Sequence, residues 1–576
     1  MKLPYLQEFS ASEQVTTQFG GYNHNDKIAD NEFYDMRNMT SKFFPALAPR
    51  EARGTYATPL AANGLIAKDS ICYVDGSEFV VGSTRVSMGL TSGEKTLTSF
   101  GAYVIIMPDA KYINTADTTD NGSINASFTT SGSVKFEMAR VDGTAYTVTY
   151  TQASKPENPN NGEYWIDTSA VPHTLKQYSA TSGMWSTVPT TYVKITCTNI
   201  GKNFAKYDGV NLSGLESEAG DLSKLSGSFV IYDSGNDYIV VTGFIDQTTT
   251  QAVTLTVARS MPVMDFIIES QNRLWGCRYG LNAAGDFVNE IYCSKLGDFK
   301  NWNCFMGLST DSYVASCGTD GKWTGAISYM GIPHFFKENA LHKVYGNYPA
   351  NFQIQDTALT GVQEGSAKSL SIVNGVLFYK SRLSVCYYDG SMPVDIGENF
   401  GGRQYDNASA CGYGTKYYIT MHDGTTPNLF VFDTARRMWH REDDTVFISA
   451  DVYKEVLYYI NADGKIKMIG SQEKDTERFH WSAETGFIDC GLSSKKYISK
   501  IILRMSLALG TYLRVFIQYD SLGDWEHIAA MNGTSLKSFS FPIRPKRCDH
   551  FRLRFEGYGD LRIFSMSKIL EAGSDM

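Results

Sequence analysis

Apolar positions along this chain come in short runs separated by turns, almost never at the three-to-four-residue spacing of an amphipathic helix. Leu65 to Val86, LIAKDSICYVDGSEFVVGSTRV, shows the unit: an apolar run, a turn, a second apolar run, then a third. Thr96 to Thr115 repeats it. So do the later stretches MDFIIESQNRLWGCRYG, GAISYMGIPHFFKENALHKVYG, SLSIVNGVLFYKSRLSVCYYDG and FISADVYKEVLYYINADGKIKMIG. Runs of this length bounded by Gly, Asn and Asp predict strands joined by tight hairpins. From residue 325 the units recur about every 40 residues, the period of four-stranded propeller blades. A single blade cannot bury both of its faces, so the pattern predicts a closed ring of six or seven.

Two regions break the period. Residues 117–260 open with the polar stretch DTTDNGSINAS and continue as alternating strands around a Pro/Asn-rich link, SKPENPNNGEYW, at Ser154 to Trp165. This region reads as one or two small β-domains inserted in a propeller loop, where added length costs little. Residues 478–576 alternate with period two in KIILRMSL, YLRVFIQYD, FRLRFEGYG and LRIFSMSKIL, as a half-buried antiparallel sandwich does. The expected class is therefore all-β: a six- or seven-bladed β-propeller with an inserted small β-domain and a C-terminal β-sandwich. In residues this gives 1–116 as N-terminal arm and first blades, 117–260 as insertion, 261–477 as remaining blades and 478–576 as sandwich.

Composition strengthens that picture. Aromatic residues make up 13% of the chain, with 35 Tyr and 32 Phe beside 51 Gly, the mixture that suits pleated surfaces and tight turns. The net charge of -9, without a basic tract, argues against wrapping nucleic acid. Ten cysteines lie scattered with no CxxC pair, so buried, reduced thiols are expected, neither metal ligands nor a disulfide scaffold. The opening MKLPYLQEFSASEQ has no apolar core of signal-peptide length, and no apolar run approaches a membrane span. Synthesis in a cytoplasm without membrane insertion is the expectation.

Candidate chemistry is sparse. SKLGDFKNW, Ser294 to Trp302, resembles the Asp-box turns of sialidases and other propellers, with the aspartate after the glycine instead of before it. The looser YDSLGDWEHI, Tyr519 to Ile528, suggests a recurrent hairpin device in which Gly297 and Asp298 turn the chain and Trp302 anchors it. Arg273, Arg278, Arg382, Arg403, Arg436 and Arg437 stand in no motif that singles them out for a sialidase. Glu442, Asp443 and Asp444 in HREDDTVF form the densest acidic cluster, read as a solvated loop against the alternative of a glycosidase pair. The nine histidines show no HxH or HExxH grouping. No catalytic, cofactor or metal residue is assigned. Tyr164, Trp165, Tyr178 and Trp185 in the insertion have the spacing of a stacking platform for a partner or a glycan. They suit better the core of a domain of about 35 residues with few other apolar groups.

Several segments resemble virion proteins of bacteriophages of Gram-positive hosts. Gln18 to Gly54, QFGGYNHNDKIADNEFYDMRNMTSKFFPALAPREARG, is similar to the passage that lays the chain along the propeller before the first blade. NRLWGCRYG with NEIYCSKLGDFKNW, Asn272 to Trp302, and HFFKENALHKVYG, His334 to Gly346, resemble blades of tail-nozzle and tail-tip propellers. The resemblance implies a non-enzymatic tail component in the virion. It further implies a homo-oligomeric ring, hexameric by preference, joined to other tail proteins and fibres and touching DNA only in transit. The alternative is a propeller glycan hydrolase, or a lectin, acting on host surface polysaccharide.

Overall fold

A computed structural model of the chain describes residues 11–215, 222–424, 426–476, 478–491, 495–520, 523–533, 537–543 and 546–572. Among these residues no α-helix forms, and the helical turns are four short 3-10 segments. Seven four-stranded antiparallel sheets follow one another in the order of the sequence units. The first strands of successive sheets lie side by side, and that of the seventh, Ser449–Tyr453, returns to that of the first, Ala62–Ala67. The fold is the all-β propeller that the sequence predicts, carrying the inserted β-domain and the sandwich.

Each blade follows from its own hydrophobic pattern. In blade 4 the second strand, Ile332–Lys337, buries all but its first residue and is turned by Met330 and Gly331, both at positive φ. Blade 7 has only three strands of its own, and Gly54–Ala57 from the N-terminal arm supplies its fourth by pairing with Ile466–Ile469. Closing the circle with a distant strand removes an exposed edge. At the inner seam the Ser449 hydroxyl bonds Leu65 N and O at 3.2 and 3.1 Å, and the Asp451 carboxylate accepts Ala67 N at 2.8 Å.

The insertion joins blades 2 and 3 and comprises an eight-stranded sheet plus a four-stranded one built from Val148–Gln152, Tyr164–Asp167, Thr174–Ser179 and Met184–Thr187. SKLGDFKNW ties it to the ring. Gly297 turns at φ +70°, Asp298 accepts Lys300 N at 2.9 Å and Asn301 Nδ2 at 2.6 Å, and Trp302 is buried between blades 2 and 3. Asn301 also bonds Asp208 and Gly209 of the insertion, both at 2.9 Å. The stretch is a turn, an anchor and a tether. Its echo at Tyr519 to Ile528 lies partly outside the described residues.

The sandwich is two five-stranded sheets whose long strands alternate buried and half-buried residues, as in Thr511–Tyr519 and Phe551–Tyr558. Each sheet takes one strand from the N-terminal arm: Ala11–Thr16 pairs with Leu561–Ala572, and Phe33–Arg37 pairs with His480–Thr485. Between those strands Tyr22 N bonds Trp439 O of blade 6, so one continuous core runs through arm, blade 6 and sandwich.

Candidate active site in the axial channel

Two groups of acids flank the seam between blades 6 and 7, and they sit in opposite surroundings. The loop after Met438–Arg441 carries Glu442, Asp443 and Asp444. Against expectation it is not a solvated loop at its start, because the arm passes over it and delivers Arg50 and Arg53. Glu442 is only 4% exposed. Arg53 Nη2 meets Glu442 Oε2 at 2.6 Å and its Nη1 meets Asp443 Oδ2 at 3.1 Å, while Arg50 Nη2 reaches Asp443 at 3.1 Å. Burial opposes the charge on Asp443, but the two guanidiniums outweigh it and hold the carboxyl down at about 2. Burial also opposes the charge on Arg53, and Asp443, Tyr459 and Glu442 overcome it to keep the guanidinium protonated. Asp444 is more open and pairs with Arg37 and Arg441, each at 3.1 Å.

Asp443 and Asp444, with Arg50 and Arg53, line a cleft of about 700 Å³ that Tyr459, Lys465, Lys467, Asp475, Phe479 and His480 also line. Arg50 stacks on Phe479 at 4.2 Å and Lys467 pairs with Asp475 at 2.6 Å, so the walls are largely tied to each other. An acid held ionised by two arginines has no proton to give. The cleft is a structural junction of arm, blade 6, blade 7 and sandwich.

The axial channel is different. It has about 530 Å³ of space and is lined by first strands of six blades, with Leu65, Leu97, Ile327, Leu370 and Val452 interleaved with Ser371, Ser409 and Ser449. Asp451 lines it at the third position of Ser449–Tyr453. Both of its oxygens accept backbone N–H groups, Ala67 N and its neighbour Val452 N, each at 2.8 Å. Burial nevertheless dominates and pushes its carboxyl above the usual carboxylate range. Lys368, which also lines the channel, pairs with Glu94 at 2.7 Å and donates to Ile448 O, linking blades 2, 5 and 7. Lys95 is neutralised by buried Asp109 at 2.7 Å. A carboxyl raised by burial and lining an open channel is a candidate proton donor.

The remaining candidates fall elsewhere. His334, His342 and His440 are buried singly, and burial lowers them to about 4, 4 and 3, so they stay neutral. Asp520, Asp549 and His550 bring ligand atoms within 4.8 Å of one another on the sandwich, where Asp520 Oδ1 already accepts Asp549 N at 2.8 Å. The four aromatic residues of the insertion divide between the faces of their small sheet. Trp165, Tyr178 and Trp185 share one face, with Trp185 ring centroids 5.4 Å from Trp165 and 5.3 Å from Tyr178. Tyr164 lies on the other, 4.9 Å from Tyr146 and packed on the insertion's main core. Trp165 is buried, with Nε1 bonded to Gln152 O at 2.9 Å.

Asp451, Glu94 and Lys368 escape sequence reasoning because no motif surrounds them. The available signal is one carboxylate in the middle of a blade's first strand, in FISADVYKEV.

No protein-family model and no curated protein matches the chain. Solved structures do. An exo-β-1,3-galactanase from Phanerochaete chrysosporium bound to β-1,3-galactotriose matches with a TM-score of 0.22 and 8% identity, over 53% of this chain and 94% of the enzyme. A family 43 arabinoxylan arabinofuranohydrolase from Bacillus subtilis in complex with cellotetraose gives a TM-score of 0.16 and 9% identity, over 69% and 92%. A Cry1Da tryptic core variant from Bacillus thuringiensis gives 0.15 and 8%, over 43% and 50%. The expectation of a non-enzymatic phage-tail component is corrected at this point, and with it the expectation that the chain is no enzyme: the solved structures it resembles include glycoside hydrolases. At such low identity that likeness concerns fold, and the chemistry rests on the channel's own residues.

Proposed function

We propose that the chain is a glycan-active β-propeller that cleaves glycosidic bonds in its axial channel. One observation carries the reading: Asp451, its carboxyl raised by burial above the usual carboxylate range, lines an open channel enclosed by six blades. In this mechanism Asp451 gives its proton to the leaving glycosidic oxygen as the C–O bond breaks. Glu94, tied to the channel by its pair with Lys368, is assigned the base that accepts a proton from the water attacking the anomeric carbon. The proton lost by Asp451 and the one gained by Glu94 balance, and solvent exchange resets both groups. Serine hydroxyls and the Leu, Ile and Val side chains of the wall offer the mixed surface that a sugar ring presents in turn.

The test is release of reducing ends from a panel of neutral and acidic polysaccharides by the full chain. Asp451→Asn and Glu94→Gln are each expected to lower turnover roughly 10²- to 10⁴-fold. Full activity in either variant refutes the assigned role.

A further inference from the structure

A second, smaller cavity opens beside blades 5 and 6. It has about 180 Å³ of space, about six water molecules' share of liquid volume at ~30 Å³ each. Lys380, the last residue of Val376–Lys380, lines it and is only 1% exposed. Its ammonium donates to Ser381 O, and the Asp406 and Asp395 charges act on it without pairing with it directly. Tyr405, 4% exposed, lines the same cavity, and its buried hydroxyl is approached by the Arg403 side chain, short of good hydrogen-bonding geometry. The Arg403 guanidinium stands beside that ring.

Carboxylates reach the cavity as well. Asp395 and Glu398 both line it and are exposed. Asp395 Oδ1 is occupied, accepting the Ser384 hydroxyl and Gly397 N. The buried end therefore presents donors in want of an acceptor.

Lys337 shows that burial of a lysine does not by itself create such a want. It is 2% exposed, yet its ammonium reaches Asn289 Oδ1 at 3.1 Å and Thr319 O at 2.6 Å and lies over the Trp323 ring at 4.4 Å. Two oxygens and a ring serve that ammonium, whereas Lys380 has Ser381 O as its hydrogen-bond acceptor, with Asp406 and Asp395 acting on its charge from farther away. A buried ammonium without a counter-charge is strongly disfavoured, and either loses its proton or takes an anion from solution. Burial indeed lowers Lys380 to about 8.

We propose that the cavity bounded by Lys380, Tyr405 and Arg403 binds a small oxyanion, a carboxylate or phosphate group, with the ammonium and the phenol as its inner donors. The site is separate from the axial channel and does not depend on the glycan reading. Binding of inorganic phosphate and of acetate to the full chain is measured by calorimetry at constant ionic strength, with thermal melting in parallel. One-to-one binding is expected at ~1 mM or tighter for at least one of the two anions. Lys380→Met is expected to weaken it roughly tenfold or more and Tyr405→Phe by a smaller factor, while Lys337→Met binds as the unaltered chain does. Phosphate binding without acetate assigns a phosphate group, and the reverse assigns a carboxylate. Absence of saturable binding of both anions overturns the proposal. So does equal affinity in a folded Lys380→Met variant.

Discussion

Asp443 and Asp451 stand eight residues apart on either side of one blade junction, and the protein drives them in opposite directions. Both are largely buried, and for both burial disfavours the charge. Asp443 faces two guanidiniums and is held at about 2. Asp451 meets only backbone amides and stays above the ordinary range. Residue type is shared and burial acts on both, so the counter-charge of the two guanidiniums is the main difference between the two acids. The densest acidic run in the chain is the one tied up by arginines.

The strongest way to break this contrast is to remove the counter-charge. Arg53→Met leaves Glu442 and Asp443 buried beside a single guanidinium and is expected to cost about 3–5 kcal/mol, measured by urea unfolding. A loss below about 1 kcal/mol would show the cluster to be dispensable. Acid titration sharpens the contrast further. Asp443 has a lowered carboxyl, so its stabilisation is complete above the ordinary 3.8 and disappears as pH falls from there toward 2. The three neutral histidines act in the same direction over a higher window: stability falls as pH drops from 6.5 to between 4 and 3, because only the unfolded chain protonates them readily. Melting temperatures across pH 7 to 2 check both limbs, and Arg53→Met is expected to flatten only the lower one.

Asp451 has the opposite sign. A raised carboxyl penalises the folded state when ionised, and the penalty is relieved as pH falls through its folded value. Asp451→Asn is therefore expected to stay within about 1 kcal/mol of the unaltered chain at pH 7, with its relative stability declining as the solution is acidified toward 4. The smallest effect belongs to Lys368→Ala. Its pair with Glu94 is largely exposed and is worth at most about 1 kcal/mol, read from the melting temperature.

The fold was legible in the chain wherever a pattern is local. Apolar runs closed by Gly, Asn and Asp mark the blades, period-two alternation marks the sandwich, and SKLGDFKNW reads as a turn with an anchor. What was not legible depends on residues far apart in sequence. Nothing near Gly54 announces that it closes blade 7, and Ala11–Thr16 carries no sign of its partner at Leu561–Ala572. The same holds for chemistry. HREDDTVF looks solvated until Arg50 and Arg53, about 390 residues earlier, are laid across it. Asp451 looks like any polar residue of a half-buried strand until six blades enclose it. Tyr164 and Trp165 are neighbours in sequence and for that reason point to opposite faces of their strand.

The central claim is that the working carboxyl lies in the axial channel and not in the acidic cluster. Release of reducing ends from a polysaccharide panel tests it most directly, with the unaltered chain, Asp451→Asn and Asp444→Asn compared at equal folded concentration. The account predicts turnover by the unaltered chain and by Asp444→Asn, and a loss of roughly 10²- to 10⁴-fold in Asp451→Asn with its melting temperature nearly unchanged. No turnover by the unaltered chain, or an Asp451→Asn variant as active as its parent, contradicts it.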